Sequence, residues 1–279
     1  MAAGRLFVVA TPIGNLDDIT MRALSVLRQV ELIAAEDTRH SRRLLQHYGI
    51  PTPLTSYHEH NEAEKAGQLL TVLQEGRDIA LITDAGTPGI SDPGYRVVRA
   101  AHERGLPVIP VPGPSAVVAA LAASGLPSDA FAFHGFFPRK RGAALALIER
   151  IARDAGTHIF FESPNRIGAT LALLEESAAA CECCVARELT KIHEDIRRAT
   201  PAALAAHYLE TPARGECVLL VHFPEMASDA EAPGAERIRE LVDAAMRESG
   251  LTRRDAIRKV SADLNISRRL VYAAAQGDA

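Results

Sequence analysis

Short apolar runs alternate with helical patterns along the first 225 residues of the chain. Between the runs, segments 20–29 and 63–75 carry apolar residues at helical spacing. In the first half the runs have the length of buried strands and close on proline, glycine or acidic residues: LFVVA (6–10), VELIAAE (30–36), IALIT (79–83) and PVIPV (107–111). The alternation predicts an α/β fold.

A second set of strand-like runs follows a stretch rich in glycine, proline and serine at 110–129. The second set comprises FAFHGF (131–136), HIFFE (158–162), CCVARE (183–188) and ECVLLVHF (216–223), with helical patterns at 143–153 and 166–177. The stretch at 110–129 is typical of a hinge and contains one helix between Pro114 and Gly125. We therefore expect two α/β domains, 1–116 and 117–224.

The C-terminal part has a different pattern. Residues 224–236 are typical of a linker, and an amphipathic helix with apolar residues from Ile238 to Met246 follows. Segment 251–276 then predicts two helices about a tight turn that contains Asn265, with Thr252 and Ser267 as N-caps. The spacing of Ala256, Val260, Leu264, Ile266 and Val271 suits a helix-turn-helix core, so 236–279 is expected to form a small helical module.

The net charge of −4 excludes a polycation that would coat nucleic acid over its whole surface. Basic residues nevertheless concentrate between 251 and 272, where six Lys or Arg stand against Asp255 and Asp263. The six are predicted RNA contacts: Arg253, Arg254, Arg258, Lys259, Arg268 and Arg269. The alternative is a solvated helical cap, because charged helix faces are common.

Other classes of protein are disfavoured by what the sequence lacks. No apolar run approaches the ~20 residues that span a bilayer, and the N-terminal apolar stretch is too short for a signal peptide. Four cysteines suit a reducing compartment, so a cytoplasmic protein is expected. Cys181 and Cys184 form a C-x-x-C without a second pair, which favours buried thiols over a zinc site, and no metal is expected.

The loops after the strands are where open α/β sheets bind ligands. The first loop, ATPIGNLDD (10–18), lacks G-x-G-x-x-G and so disfavours a nicotinamide site, and no P-loop motif is present. Glycine and proline in TDAGTPGISDPG (83–94) and PVPGPSA (110–116) would let the backbone approach a bound molecule. These two bends are predicted to face one crevice.

Acidic and basic side chains follow other strands. Glu36, Asp37 and Arg39 come directly after VELIAA, where Asp37 either assists catalysis or caps the next helix. Arg187 and Glu188 end the run 183–188, Lys191 follows it, and Glu162 ends another strand. FFPRKRG (136–142) combines aromatic and basic residues that can stack bases and hold phosphate, although an ordinary exposed loop accounts for it equally.

Seven blocks in order resemble a known family: VATPIGNLDDIT, AEDTRHSRRLL, DAGTPGISDPG, PVPGPSA, FFESPNRI, ARELTKIHE and RGECVLLV. They are similar to the bacterial 16S ribosomal RNA (cytidine-2′-O)-methyltransferases of the tetrapyrrole methylase superfamily, from about residue 5 to 223. Tetrapyrrole-modifying members have a first loop richer in glycine, so TPIGNLDD favours the RNA branch.

The resemblance implies two α/β domains with S-adenosylmethionine in the cleft between them, a homodimer, and a target ribose in the decoding region of the small ribosomal subunit. The implied cofactor contacts are Pro12, Asp84, Ala85, Gly86, Thr87, Pro88, Ser115, Ala116, Phe161, Glu188, Leu189 and Glu216.

A ribose hydroxyl is a weak acid, so a group that takes its proton is expected. The hypothesis names Asp37, Glu36 or Lys191 for this role. Predicted RNA contacts outside the basic tail are Asn15, Arg39, Arg139, Lys140, Arg141 and Arg166. The alternatives are a small-molecule methyltransferase acting on a tetrapyrrole, and a non-catalytic RNA-binding assembly factor.

Overall fold

The computed structural model describes residues 2–178, 181–224, 233–264, 266 and 268–276, without the side chains of Glu248 and Arg269. The chain forms two compact units. Unit 1 comprises Met1–Ala120 together with Glu188–Asp195, and unit 2 comprises Leu121–Arg187 together with Ile196–Ala279.

The strands are β1 (Leu6–Val9), β2 (Leu32–Ala35), β3 (Leu54–Ser56), β4 (Ile79–Ile82), β5 (Val108–Val111), β6 (Phe131–Phe136), β7 (Gly156–Glu162), β8 (Glu182–Arg187), β9 (Asp195–Ala199) and β10 (Cys217–Phe223). The helices are α1 (Met21–Gln29), α2 (Thr38–His47), α3 (Glu62–Gln74), α4 (Tyr95–Glu103), α5 (Ala116–Ser124), α6 (Arg141–Ile151), α7 (Ile167–Ala178), α8 (Pro201–Glu210), α9 (Ala235–Ser249), α10 (Arg253–Leu264) and α11 (Arg268–Gln276).

Unit 1 contains a parallel sheet in the order β3-β2-β4-β1-β5. Its inner strands are apolar throughout because helices cover both faces. Alternate residues of β1 and β4 show this: Val9 and Ile82 pack with α1 and α2, whereas Leu6 and Leu81 pack with α3 and α4. The predicted α/β architecture is confirmed.

The strand order decides where a ligand site forms. The connections that leave β1 and β2 run through α1 and α2 on one face, and those that leave β3 and β4 run through α3 and α4 on the other. Strand β4 lies between β2 and β1. The chain after β4 therefore continues on the opposite face from the chain after both neighbours, the arrangement in which open α/β sheets bind ligands at the carboxyl edge.

Unit 2 contains a mixed sheet in the order β6-β7-β10-β8-β9. Strand β10 runs antiparallel to β7 and β8, and β6 runs parallel to β7. Helices α6, α7 and α8 pack on this sheet around Phe160, Leu174 and Leu219. All four cysteines are buried, and the described residues contain no cluster of His, Cys, Asp or Glu that could hold a metal ion.

The C-terminal helices α9, α10 and α11 share a core of their own, around Ile238, Val260 and Val271. The predicted cap at Thr252 is present, since its Oγ1 accepts a hydrogen bond from the backbone N–H of Asp255 at 3.2 Å. Asn265, Ser267 and most of the predicted linker, 225–232, lie outside the described residues. The helices group with unit 2.

The structure adds two strands that the sequence patterns do not predict, β3 and β9. It also places Glu188–Asp195, which follow β8, in unit 1 with the N-terminal sheet. Within the described ranges, no helix has the length and apolarity that crossing a membrane requires.

Candidate active site

Three loops of unit 1 meet at the carboxyl edge of its sheet. Thr11 of the first loop and Gly86 of the loop after β4 form an antiparallel bridge, with N···O distances of 2.9 and 3.0 Å. The hydroxyl of Thr87 donates to the carbonyl of Pro114 at 3.3 Å. The two glycine- and proline-rich bends that sequence singled out are thus in contact, with the first loop beside them.

Gly86 makes the bridge possible. Its φ of +84° lies in the left-handed region that L side chains rarely adopt. A Cβ atom at this position would also face Ile13 Cγ2 at 3.5 Å. The bend therefore presents bare backbone at the carboxyl edge of the sheet, which suits close approach of a ligand.

Residues 188–191 pack against the first loop at Gly14. A Cβ atom on Gly14 would lie 2.6 Å from Lys191 Cγ and 3.0 Å from the carbonyl oxygen of Leu189. Glu188 and Thr190 have φ values of +51° and +66°, so the segment is strained as well as tightly packed. Predicted cofactor residues from both halves of the sequence accordingly belong to unit 1.

Phe161 and Glu216, the remaining predicted cofactor contacts, belong to unit 2. Phe161 lies on β7 opposite Val218 of β10, and Glu216 immediately precedes β10, so both lie at the same end of this strand pair. Phe161 packs edge-on against Phe133 with ring centroids 4.9 Å apart.

Backbone amides tie together the acidic residues after β2 and β4. Asp84 Oδ1 accepts from the backbone N–H of Asp37 at 3.1 Å, and Glu36 Oε2 accepts from the backbone N–H of Asp84 at 3.4 Å. These contacts exist because β2 and β4 are neighbours in the sheet. The side chain of Glu36 is thereby held at the sheet edge beside a predicted cofactor residue.

The surroundings of Glu36 favour its neutral form. Partial burial raises the pKa of Glu36 most, and the nearby carboxylates of Asp84, Glu59 and Asp37 raise it further. Asp92 belongs to the same acidic group, since burial and then the charges of Glu36 and Asp84 raise the pKa of Asp92 to about 7. A carboxyl group with a raised pKa is a better proton acceptor than an ordinary carboxylate.

Asp37 is in the opposite situation. Its carboxylate caps α2 by accepting from the backbone N–H of Arg39 at 2.8 Å, and it pairs with the Arg39 side chain at 2.7 Å. These contacts, the side-chain hydrogen bond first, hold the pKa of Asp37 well below its usual range. Asp37 therefore makes the contacts of a helix cap, which was one of its two predicted roles. Its low basicity makes Asp37 a poor proton acceptor.

Lys191 lies in the segment that packs on Gly14. Its Nζ donates to Glu188 Oε1 at 2.7 Å. An ammonium group has no lone pair with which to accept a proton, so this arrangement suits the holding of a negative charge better than base catalysis.

Several predicted RNA contacts bind the protein itself. Asn15 caps the short 3₁₀ turn Leu16–Asp18 by accepting from Asp17 N at 3.1 Å. Arg166 pairs with the buried carboxylate of Glu162 at 3.2 Å and donates to the carbonyl of Pro138 at 2.7 Å. Arg253 donates to the carbonyl of Ala275, and Lys259 pairs with Asp263 at 2.8 Å. The roles of these residues toward RNA stay predictions.

Residues that the sequence analysis missed complete the acidic group. Asp92 lay within a loop chosen for its glycines, and Glu59 follows β3. Strand β3 spans only three residues, so the sequence pattern did not predict that His58 and Glu59 follow the end of a strand. The polar run HEHNE after β3 was the available signal.

Comparison with known proteins places the fold. Residues 5–205 match the family described as tetrapyrrole (corrin/porphyrin) methylases. A uroporphyrin-III-C-methyltransferase from Thermus thermophilus, 21% identical, has a TM-score of 0.54 over 78% of this chain and 94% of that chain. A diphthine synthase, 13% identical, has a TM-score of 0.62 over 81% of this chain and 92% of that chain.

Sequence relatives are much more similar. The "Ribosomal RNA small subunit methyltransferase I" of Pseudomonas aeruginosa is 50% identical over 245 residues, which cover 86% of each chain. The protein of the same name from Synechocystis is 44% identical over 272 residues, which cover 96% of each chain.

The residues of unit 1 fit the methyl donor expected from the resemblance. A Cβ atom on Gly113 would lie 3.1 Å from Ala10 Cβ, so this edge of the sheet is built for bare backbone at more than one bend. In the part of the chain that the structure describes, Thr190 Oγ1 is buried without a hydrogen-bond partner, which leaves a polar atom for a ligand. The chain belongs to the tetrapyrrole (corrin/porphyrin) methylase family, and its cofactor is S-adenosylmethionine.

Proposed function

We propose that this protein methylates the 2′-hydroxyl group of a cytidine in the 16S ribosomal RNA of the small ribosomal subunit. The observation that carries the proposal is the likeness to ribosomal RNA small subunit methyltransferase I at 50% identity over 86% of both chains. The cytidine and the 2′-hydroxyl come from the resemblance of the seven sequence blocks.

The cofactor-binding residues follow from the resemblance and from the loops that meet in unit 1. The resemblance also implies Phe161 and Glu216, which belong to unit 2. The unit 1 set is Pro12, Asp84, Ala85, Gly86, Thr87, Pro88, Ser115, Ala116, Glu188 and Leu189.

The chemistry requires alignment and removal of one proton. S-adenosylmethionine supplies a methyl group that is activated by the positive charge on its sulfur. The ribose 2′-oxygen forms a bond to the methyl carbon as the carbon–sulfur bond breaks, S-adenosylhomocysteine leaves, and the hydroxyl proton goes to a protein group. The protein's part is to hold the hydroxyl in line with the methyl group and to exclude water.

We assign the proton acceptor role to Glu36. Its position beside Asp84 supports this, and so does the direction of its pKa shift. Asp37 then caps α2 and orients Arg39 toward the substrate, and Lys191 provides positive charge near the first loop. Arg166 would act through the segment 137–138 that it binds.

A small-molecule methyltransferase is the competing function, because solved structures of this fold include a uroporphyrin-III-C-methyltransferase. At 21% identity that likeness carries the fold alone. The basic C-terminal helices favour the RNA substrate, since a tetrapyrrole needs no such surface. A non-catalytic assembly factor would not bind S-adenosylmethionine, so calorimetric titration with this cofactor separates it from both enzymes.

The direct test is to map ribose methylation by mass spectrometry in 16S ribosomal RNA from cells with and without this gene. We expect one methylated cytidine to become unmodified when the gene is deleted and to be restored by the wild-type protein. A Glu36→Gln protein should fail to restore it. An unchanged methylation pattern in the deletion strain would overturn the proposal.

Two further parts of the proposal follow from the same resemblance. We expect a homodimer, which sedimentation equilibrium tests directly. Because small ribosomal subunits are assembled in the bacterial cytoplasm, the proposed reaction takes place there.

A further inference from the structure

Glu176, near the end of α7, binds two basic segments that are far apart in sequence. Both of its carboxylate oxygens accept from Arg141 Nη2 at 2.8 Å, and its backbone carbonyl accepts from Arg258 Nη1 at 3.2 Å. Arg141 begins α6, and Arg258 lies in α10. The basic loop of 139–141 and the basic C-terminal helices therefore meet at one place in unit 2.

The C-terminal helices dock on this place by capping α7. Arg268 donates to the carbonyl of Ser177 at 2.8 Å, next to the carbonyl that receives Arg258. The last carbonyls of a helix have no partner within the helix, and its dipole favours positive charge there. The two guanidinium groups satisfy both needs, so the position of α10 and α11 on α7 is specific.

The basic loop of 139–141 is also anchored by Arg166, through the residues that precede the loop. Arg166 donates to the carbonyls of Phe137 and Pro138 at 3.3 and 2.7 Å, directly before Arg139. The carboxylate of Glu162 fixes Arg166 in turn, and it also accepts from Thr170 Oγ1 at 2.7 Å. Buried contacts thus anchor the exposed cations of the loop to the core of unit 2.

The cations at the end of α7 outnumber the acids near them. The positive side chains placed there are Arg141, Arg254, Arg258 and Arg268, and Arg139 and Lys140 directly precede Arg141 in the chain. Glu176 pairs with Arg141, and Asp255 pairs with Arg258. The guanidinium groups are close enough for Arg258 and Arg254 to lower the pKa of Arg268, although its partial burial lowers it more. Such crowding of like charges is unfavourable in the free protein and is relieved when a polyanion binds.

The extent of the surface indicates the partner. Its cations come from the loop before α6, from α10 and from α11. A single small anion would contact one of these elements, whereas a nucleic acid backbone presents a phosphate at every nucleotide and can contact all three. Lys140 and Arg141 also stand at the N-terminal end of α6, where the helix dipole disfavours cations, so they are not there to stabilise the helix.

We propose that Arg139, Lys140, Arg141, Arg254, Arg258 and Arg268 form one continuous surface around the end of α7 that binds the phosphate backbone of the RNA substrate, with Glu176 joining its two halves. The inference rests on the proposed function for the identity of the RNA. It requires both the loop and the C-terminal helices to contact the RNA backbone.

The test measures binding of a 16S ribosomal RNA transcript by filter retention as the salt concentration is raised. The loop variant is Arg139→Ala with Lys140→Ala, and the helix variant is Arg254→Ala. These positions are chosen because Arg141, Arg258 and Arg268 hold the surface together. Arg153→Ala and Arg237→Ala are matched controls, since both arginines are exposed and each is paired with a glutamate three or four residues before or after it in the chain.

The slope of log affinity against log salt should fall in magnitude by about 2 in the loop variant, about 1 in the helix variant and about 3 when the two are combined. The controls should leave the slope unchanged, and calorimetry should show wild-type affinity for S-adenosylmethionine in every variant. An unchanged slope in either the loop variant or the helix variant would overturn the shared surface.

The same proteins separate this inference from the proposed function. If the wild-type protein methylates small subunits normally but the variants have unchanged slopes, the proposed RNA-binding surface is refuted and the proposed function is retained. If the variants show the expected slopes but the wild-type protein does not methylate small subunits, the RNA-binding surface is retained and the proposed function is refuted.

Discussion

Glu36 and Asp37 are adjacent in the chain, but their surroundings shift the pKa values of the two carboxyl groups in opposite directions. Glu36→Gln should lower kcat by about 10²- to 10⁴-fold, because an amide cannot accept the ribose proton. In the wild type, kcat should fall as the pH drops through the raised pKa of Glu36, and hence at a higher pH than for an ordinary glutamate.

The measurement is methyl transfer from labelled S-adenosylmethionine to unmodified small subunits between about pH 5 and 9. Asp37→Asn is the comparison variant: asparagine also caps a helix, so a loss of kcat there reflects the broken ion pair with Arg39 and should be smaller than the loss in Glu36→Gln. A kcat that is the same in Glu36→Gln and in the wild type would exclude Glu36 as the proton acceptor.

Asp92 makes stability depend on pH. Its pKa is raised to about 7 in the folded protein, against about 3.9 in an unfolded chain. The neutral carboxyl therefore stabilises the fold fully below about pH 4, and this contribution is lost as the pH rises to about 7. Asp92→Asn removes the titration, so it should raise the free energy of unfolding at pH 8 by about 1–2 kcal/mol after solvent screening, with little change at pH 4.

Urea denaturation at the two pH values checks this, with Asp37→Asn as a carboxyl-to-amide control whose pKa is shifted the other way. A stability difference for Asp92→Asn that does not change with pH would show that Asp92 is not neutral in the folded protein.

These electrostatic effects explain what the sequence could and could not predict of the site. Glu36 and Asp37 were recognisable because they follow an apolar run directly. The influence of Asp84 and Glu59 on Glu36 arises only because β2 lies between β3 and β4, and strand order is not visible in local patterns. Choosing between the two acids therefore required the fold.

At the scale of elements, prediction succeeded where burial is strong. Strand β4 is buried at every residue and was recognised from its apolar run. Strands β3 and β9 lie at sheet edges, and each contains no fully buried residue, so neither carries an apolar signal. The assignment of 188–195 to unit 1 was likewise not predictable, because it depends on packing between segments distant in sequence.

The packing of this segment on the first loop can be tested at Gly14. In Gly14→Ala the new methyl group meets the backbone of Leu189 and the side chain of Lys191, so residues 188–191 must move. Overpacking of this kind costs about 1–3 kcal/mol. Because both segments are proposed cofactor contacts, affinity for S-adenosylmethionine should fall about tenfold.

Isothermal titration calorimetry measures this loss. Gly67→Ala is the control, since a Cβ atom there meets nothing within 4 Å. Equal affinities of the Gly14 and Gly67 variants would mean that the segment does not contact the cofactor.

The whole molecule combines an acidic average with a local basic surface. The net charge is −4, yet the fold brings the basic segment 139–141 and the basic C-terminal helices together at one end of α7. The separate basic segments were readable in the sequence. Their convergence on Glu176 was not, since it depends on tertiary contacts.

The C-terminal helices have a core of their own, so their removal should leave the two α/β cores in place. Deleting 236–279 uncaps the carbonyls of Glu176 and Ser177, which should lower the melting temperature of unit 2 only modestly. Affinity for S-adenosylmethionine should stay at its wild-type value, whereas methylation of small subunits should be nearly lost because three of the six surface cations are gone. Calorimetry and methyl-transfer assays on the same preparation separate the two effects. Full activity of the shortened protein on small subunits would show that these helices do not take part in recognition of the RNA.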